Sequence, residues 1–357
     1  MNRRDVLQAS ALAMGATLSG AGNTAATQAP AVPQPQTGFP ISPIEGSNPL
    51  DAKIEAFTTV SPDVDASIAF YRDVIGMRLA DEGTLPADIT TAPGAGKAGR
   101  RYAMLDMPDS VWGRATVRVL EAPRGAGANR PRPDSGPMDP GLLVMEGGTR
   151  DPAESYHRLA AAGTPMISPP RYYFFRNTTW GRDVDVMSYA PFGPGGEQLF
   201  ITANIRGDRT WSSPGVHNGF ANAAITSLDQ RPTEAFYEQA LGLKRTSQME
   251  CFQPNTNQLI GAPDDSYFLW GNIGSGVSIE VWEFKAAKGI LYPTSLDRTG
   301  LAMLTIRVND IAKCRVMCQA AGIEPVGDGA LPLIRDSEPG GFTLRGAVGE
   351  LIEVVAA

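Results

Sequence analysis

The sequence predicts an α+β fold made of four strand–helix–strands modules that close in pairs into two domains. Three observations predict it. One helix ending is written twice, in "ASIAFYRDVIGMRLAD" (Ala66 to Asp81) and "TEAFYEQALGLKRTS" (Thr233 to Ser247). Each copy carries an aromatic pair (Phe70-Tyr71, Phe236-Tyr237) and then Gly-apolar-basic (Gly76-Met77-Arg78, Gly242-Leu243-Lys244). A second helix ending, Ala-Ala-Gly, is also written twice and places Gly163 and Gly322 where a left-handed C-terminal residue belongs. A β-type run precedes each of these helices and further runs follow it. One such unit leaves a sheet face uncovered, so the units must pair.

The elements follow in chain order. Arg3-Arg4 precede a mild apolar run from Val6 to Leu18 that is too short and weak to span a bilayer stably. Together they resemble a twin-arginine export signal over residues 1–30, with small residues from Ala21 to Ala29 as cleavage points and the periplasm as destination. Residues 31–50 read as a Pro-rich extended linker. Unit one has the runs "KIEAFTTV", "RYAMLDM" and "ATVRVLEA"; Pro123 to Pro140 joins it to unit two, which opens with Gly141 to Ser168 and closes with "EQLFITA". Unit three has "ANAAITSL", "SYFLWG" and "VSIEVWEF"; unit four opens at "LAMLTIRV" and closes with "ELIEVVA". Chain order predicts residues 51–205 as the first paired domain, 206–218 as a linker and 219–357 as the second paired domain.

Composition narrows the partners. Apolar residues are 42% and charged residues 19%, which suits a globular chain with a core. A net charge of -7 without a basic stripe argues against nucleic acid. Cys251, Cys314 and Cys318 are an odd count without regular spacing, so no disulfide framework is expected; Cys314 and Cys318 share a helix face as small buried side chains.

The repeat resembles the vicinal oxygen chelate superfamily, which holds glyoxalases, extradiol dioxygenases, epimerases and antibiotic-sequestering proteins. The residues that carry the likeness are "PDVDAS" leading into "FYRDVIGM", "FYEQALGL", the two Ala-Ala-Gly endings and the final "GELIEV". The resemblance implies βαβββ-type modules paired into two glyoxalase-like domains. It also implies curved sheets around cavities, with one inward residue on the first and last strand of each unit. In that family such residues, as His, Gln or Glu, hold a divalent metal that polarises substrate oxygens.

Strand alternation selects the inward positions. In the last strands, Ile279, Val281, Ile352 and Val354 pack outward, which turns Glu280 and Glu353 inward; Arg118 and Phe200 occupy the same places in the first half. In the first strands the reading gives Gly141, Asn222, Met303 and, in unit one, Glu55 by parity, which is preferred over the Ala56 obtained by counting back from Phe70-Tyr71. Arg118, Gly141 and Phe200 exclude a metal site in the N-terminal half. The C-terminal half has two carboxylates and an amide, so Glu280, Glu353 and Asn222 are weak metal candidates; the cofactor stays open between a divalent cation and none, with none preferred. Without metal, Glu280 and Glu353 are expected to meet as a catalytic acid–base pair, one with a raised pKa. Asn222, Met303, Arg307, Trp282 and His217 are the expected substrate contacts, His217 swinging from the linker over the cavity mouth. The expected function is an exported glyoxalase-like enzyme acting on a small oxygenated, aromatic-type molecule by isomerase, lyase or hydrolase chemistry. A non-catalytic sequestering protein of the same fold is the alternative, and a scaffold with both cavities filled is a third.

Overall fold

A computed structural model describes residues 48–357 except 97–98, 111–114, 132–134, 176–183, 206–214, 275–277, 286, 288 and 335–339. The expected export signal and most of the expected Pro-rich linker lie outside the described residues. So do residues 206–214 of the expected 206–218 linker.

Each of the four modules begins with a long strand: β1 (Lys53–Ser61), β5 (Gly141–Thr149), β9 (His217–Ser227) and β13 (Gly300–Val308). A helix follows: α1 (Val64–Ala69, continued by a wider π-helical turn Phe70–Ile75), α2 (Pro152–Ala161), α3 (Gln230–Leu241) and α5 (Ile311–Ala320). The start is set the same way each time. Asp63, Asp151, Asp229 and Asp310 sit in extended backbone and accept from main-chain N–H groups of the first turn. Such caps satisfy donors that the helix leaves open. The predicted left-handed residues Gly163 and Gly322 have φ of +69° and +68°.

Three strands complete each module. They are β2 (Arg78–Thr84), β3 (Arg101–Asp106) and β4 (Thr116–Glu121) in the first; β6 (Arg171–Phe175), β7 (Val184–Tyr189) and β8 (Gln198–Asn204) in the second. The third has β10 (Arg245–Cys251), β11 (Phe268–Ile273) and β12 (Ser278–Phe284), with a short α4 (Pro254–Ile260) between its first two. The fourth has β14 (Gly327–Asp328), β15 (Gly341–Arg345) and β16 (Leu351–Ala356).

The modules do not pair in chain order. One eight-stranded sheet runs β14-β15-β16-β13-β1-β4-β3-β2 and joins modules one and four; the other runs β10-β11-β12-β9-β5-β8-β7-β6 and joins modules two and three. The first strands meet antiparallel in the middle, β1 on β13 and β5 on β9. This corrects the expected grouping of residues 51–205 and 219–357. Strand runs fix how each module folds, but two modules meet through first-strand edges that any of the four presents, so chain order does not select the partner.

Each sheet curls until its edges meet. In the first, the Thr91 N–H donates to Asp328 O at 2.8 Å and Thr90 bridges Gly329. In the second, Gln253 at the start of α4 and Asn255 within it donate to Phe174 O and Tyr172 O of the β6 edge at 2.8 and 2.7 Å. Closure removes the unpaired edges that would template aggregation. The outer faces share one apolar core that includes Phe57, Val117, Ile225, Ile279, Val281, Leu304, Ile352 and Val354. Phe57 and Phe220 meet edge-on there at 6.5 Å. Cys251, Cys314 and Cys318 are buried free thiols. Among the described residues no helix is long and apolar enough to cross a membrane.

Candidate functional site

Register places the same positions at the centre of each inner face. Thr58 pairs with Arg118 and Thr305 with Glu353 in the first sheet. Glu146 pairs with Phe200 and Ala224 with Glu280 in the second. Thr58, Glu146, Ala224 and Thr305 each stand five residues before the aspartate that caps the following helix. The expected last-strand residues Arg118, Phe200, Glu280 and Glu353 are therefore in place, whereas the first-strand set Glu55, Gly141, Asn222 and Met303 is displaced along the strands.

The first inner face is closed. Arg118 and Glu353 form an ion pair at 2.7 Å, and neither side chain is exposed. Burying two charges is unfavourable unless the remaining donors and acceptors are met. Here they are: Arg118 also donates to Thr58, Thr305 and Pro332 O, at 2.8, 2.9 and 3.0 Å. Glu353 accepts from Thr305 Oγ1 and from the Leu331 N–H, both at 2.7 Å. Leu85, Ala92, Leu296, Met303 and Leu331 fill the space beside the knot. Glu353 thus holds a plug in place and has no route to a substrate. Met303 is part of that plug. Arg307 faces Glu55 at 3.1 Å near the end of the sheet, away from both.

The second inner face is different. Glu146 and Glu280 lie across the central strands, 5% and 7% exposed. The Glu280 carboxyl and the Asn222 side chain are both within hydrogen-bonding reach of Glu146. Trp282 Nε1 donates to Glu280 Oε2 at 3.1 Å, and the Trp270 indole reaches the same carboxyl. Burial, and then the neighbouring Glu280 charge, lifts Glu146 well above the usual carboxylate range, while its Oε1 has no hydrogen-bond partner among the described residues. Burial pushes Glu280 up to about 7, against the lowering effect of the Trp282, Glu146 and Trp270 donors. Two carboxyls this close cannot both ionise readily, so the pair keeps one proton through neutral pH. A hydroxyl chain stands beside them: Tyr173 with Ser188 at 3.1 Å, and Ser188 donating to Thr202 at 2.9 Å. Phe200 and Phe268 pack against Trp282 at 6.3 and 5.8 Å, forming an aromatic wall. Asn222, Thr202 and Trp270 are half-buried.

Glu280 therefore meets Glu146, not Glu353, because modules two and three share a sheet. Asn222 and Trp282 lie beside Glu146 and Glu280 at this site. His217 is not over its mouth. It lies inside β9 at 1% exposure, where Nδ1 donates to Ile75 O at 2.9 Å and Nε2 accepts from Ser155. Burial lowers its pKa to about 4, so it stays neutral and structural. Glu146 was missed because the reading placed the start of β5 at the cavity; counting back from Asp151 finds it.

The donor set does not fit a resident metal. Phe200 and Ala224 fill two of the four central positions and supply no donor. Among the described residues, no group of three or more His, Cys, Asp or Glu side chains is placed to hold an ion.

The profile of the Glyoxalase/Bleomycin resistance protein/Dioxygenase superfamily matches residues 53–196. The chain has the glyoxalase-superfamily fold. Glyoxalase I from Zea mays superposes with a TM-score of 0.56 at 14% identity, covering 86% of this chain and 92% of that one. A putative dioxygenase from Bacillus subtilis gives 0.48 at 16% identity, covering 85% and 84%. At these identities the likeness concerns the fold alone. No curated protein matches the chain in sequence.

Proposed function

We propose that the protein is a glyoxalase-superfamily enzyme that moves protons on a small oxygenated molecule, held against the aromatic wall of the second sheet. The observation that carries this is the Glu146–Glu280 pair, two buried carboxyls set to share one proton beside the half-buried Asn222, Thr202 and Trp270. Glu280, with a pKa near neutrality, is the base: it takes a proton from a carbon next to a carbonyl. Glu146, which keeps its proton, is the acid: it gives that proton to the carbonyl oxygen, leaving a neutral enol. With an α-hydroxycarbonyl the enol is an enediol: Glu280 returns its proton to the former carbonyl carbon while the other hydroxyl gives its proton to Glu146, which completes an isomerisation. In a lyase reaction the enol hydroxyl gives its proton back to Glu146 as the leaving group departs from the next carbon with the proton from Glu280. Asn222 and the Tyr173–Ser188–Thr202 chain orient the oxygens, and the indoles of Trp282 and Trp270 hold Glu280 in its charged form. No step requires a metal.

Sequestration without turnover is the second reading. It is favoured by Phe200 and Ala224, which remove the donors that metal-dependent members of the fold would need. Export by the twin-arginine route to the periplasm is proposed from Arg3-Arg4 and the run behind them; cell fractionation of the native host, with an Arg3→Lys/Arg4→Lys variant retained in the cytoplasm, tests it.

The catalytic reading is tested by incubating the protein in D2O with aryl α-hydroxyketones and following loss of the α-proton signal by NMR. Exchange in the wild type that falls at least a hundredfold in Glu280→Gln, with binding retained, supports catalysis. Binding without exchange supports sequestration.

A further inference from the structure

One rung below the carboxyl pair the two sheets diverge. In the first sheet Leu351 stands beside Met303, and both pack into an apolar cluster with Val60, Leu120 and Leu331. The matching residue in the second sheet is Gln198, beside Val144. Gln198 is only 9% exposed, and among the described residues its Nε2 has no hydrogen-bond partner. Buried amides are almost always paired, so an unpaired one is informative.

Gln198 lines a cavity of about 310 Å3. Leu143, Ile167, Ile260 and Leu301 give it apolar walls, and Arg130 also lines it. Glu197, on the same wall, is engaged by the Tyr71 hydroxyl at 2.6 Å, and burial raises its pKa, which favours the neutral form. The volume falls at the small end of the range for ligand pockets, roughly 300–1,000 Å3. The space lies between the start of β8, residues 128–130 and 135–137, and the start of β13, so residues of both sheets enclose it. Gln198 and Phe200 share a face two residues apart, which puts the amide about 7 Å along β8 from the carboxyl pair's level.

We propose that this cavity is a second small-molecule site. Its ligand is a compact molecule with an apolar body and a carbonyl or carboxylate oxygen that accepts from Gln198 Nε2. The site is independent of proton transfer at Glu146 and Glu280. Where the first sheet closes this level with Leu351, the second has Gln198 on a cavity wall with its amide nitrogen unpartnered among the described residues.

Two probes with the same body test this on the full-length protein by isothermal titration: 3-phenylpropanoate, which offers acceptors, and 3-phenylpropylammonium, which offers only donors. The expected result is at least tenfold tighter binding of 3-phenylpropanoate. Gln198→Leu should weaken it about tenfold, and the near-isosteric Gln198→Glu should invert the preference between probes. Glu280→Gln should leave it unchanged, which separates this site from the proposed catalytic one. Equal affinity for both probes, 3-phenylpropanoate binding that survives Gln198→Leu, or binding lost in Glu280→Gln would each overturn the proposal.

Discussion

The Tyr71 hydroxyl donates to Glu197 Oε1 at 2.6 Å, tying α1's π-helical extension in one sheet's module to the turn before β8 in the other sheet. The pattern recurs between Tyr237 and Glu350 at 2.9 Å. The tyrosine of each repeated Phe-Tyr pair thus reaches the module that follows it in sequence, while the sheets join modules one with four and two with three. Chain neighbours are stapled through side chains; sheet neighbours are joined through backbone.

Removing one staple leaves a buried carboxyl short of a donor. Tyr71→Phe and Tyr237→Phe are each expected to lower unfolding free energy by about 1–3 kcal/mol, measured by urea denaturation. A change within experimental error for both would mean the staples contribute nothing.

Glu350 makes stability depend on pH in a defined direction. Burial raises its pKa from 4.5 to about 7, so the folded state binds more protons than the unfolded state across that window. Stability is therefore lost as pH rises from about 4.5 to 7, by an amount on the order of 3 kcal/mol. Glu350→Gln should remove this dependence, so the variant gains on the wild type as pH rises through the window.

His217 acts with the opposite sign. Its pKa falls from 6.5 to about 4 on burial, so the unfolded state binds the extra proton and stability is lost as pH falls below 6.5. Below pH 6 the wild type should lose stability relative to a His217→Gln variant, even if that variant is weaker at pH 8.

The Arg118–Glu353 knot is a structural element and not a reaction centre. Arg118→Met alone should destabilise the fold by about 3–5 kcal/mol, because it leaves Glu353 buried and unpaired. The double variant Arg118→Met/Glu353→Leu should recover most of that loss, with turnover at the second sheet unchanged. Loss of turnover in a folded double variant would place Glu353 in the chemistry after all.

Much of the fold was legible in the sequence because strand period and helix caps are local signals. The Ile-Glu-Val triplets at Glu280 and Glu353 gave the inward face of both last strands without ambiguity. Two things were not legible. Which module lies beside which depends on packing between sheets, and nothing local in β5 or β13 encodes it. The inward residue of each first strand was obscured because the β1–β13 and β5–β9 pairings carry register shifts that break simple counting; the β5–β9 pairing has three, between Leu142 and Thr149 of β5. The aspartates capping each helix are the better ruler. Measured from Asp151, Glu146 stands out as the acidic partner for Glu280.

The measurement closest to the central claim is a pH titration of protein labelled with 13C at the Glu side-chain carboxyls, assigned through Glu146→Gln and Glu280→Gln. The account predicts that at pH 7 the Glu146 signal is still that of a protonated acid while Glu280 is midway through its transition, and that removing either residue shifts the other. Two independent transitions near pH 4.5 would contradict it.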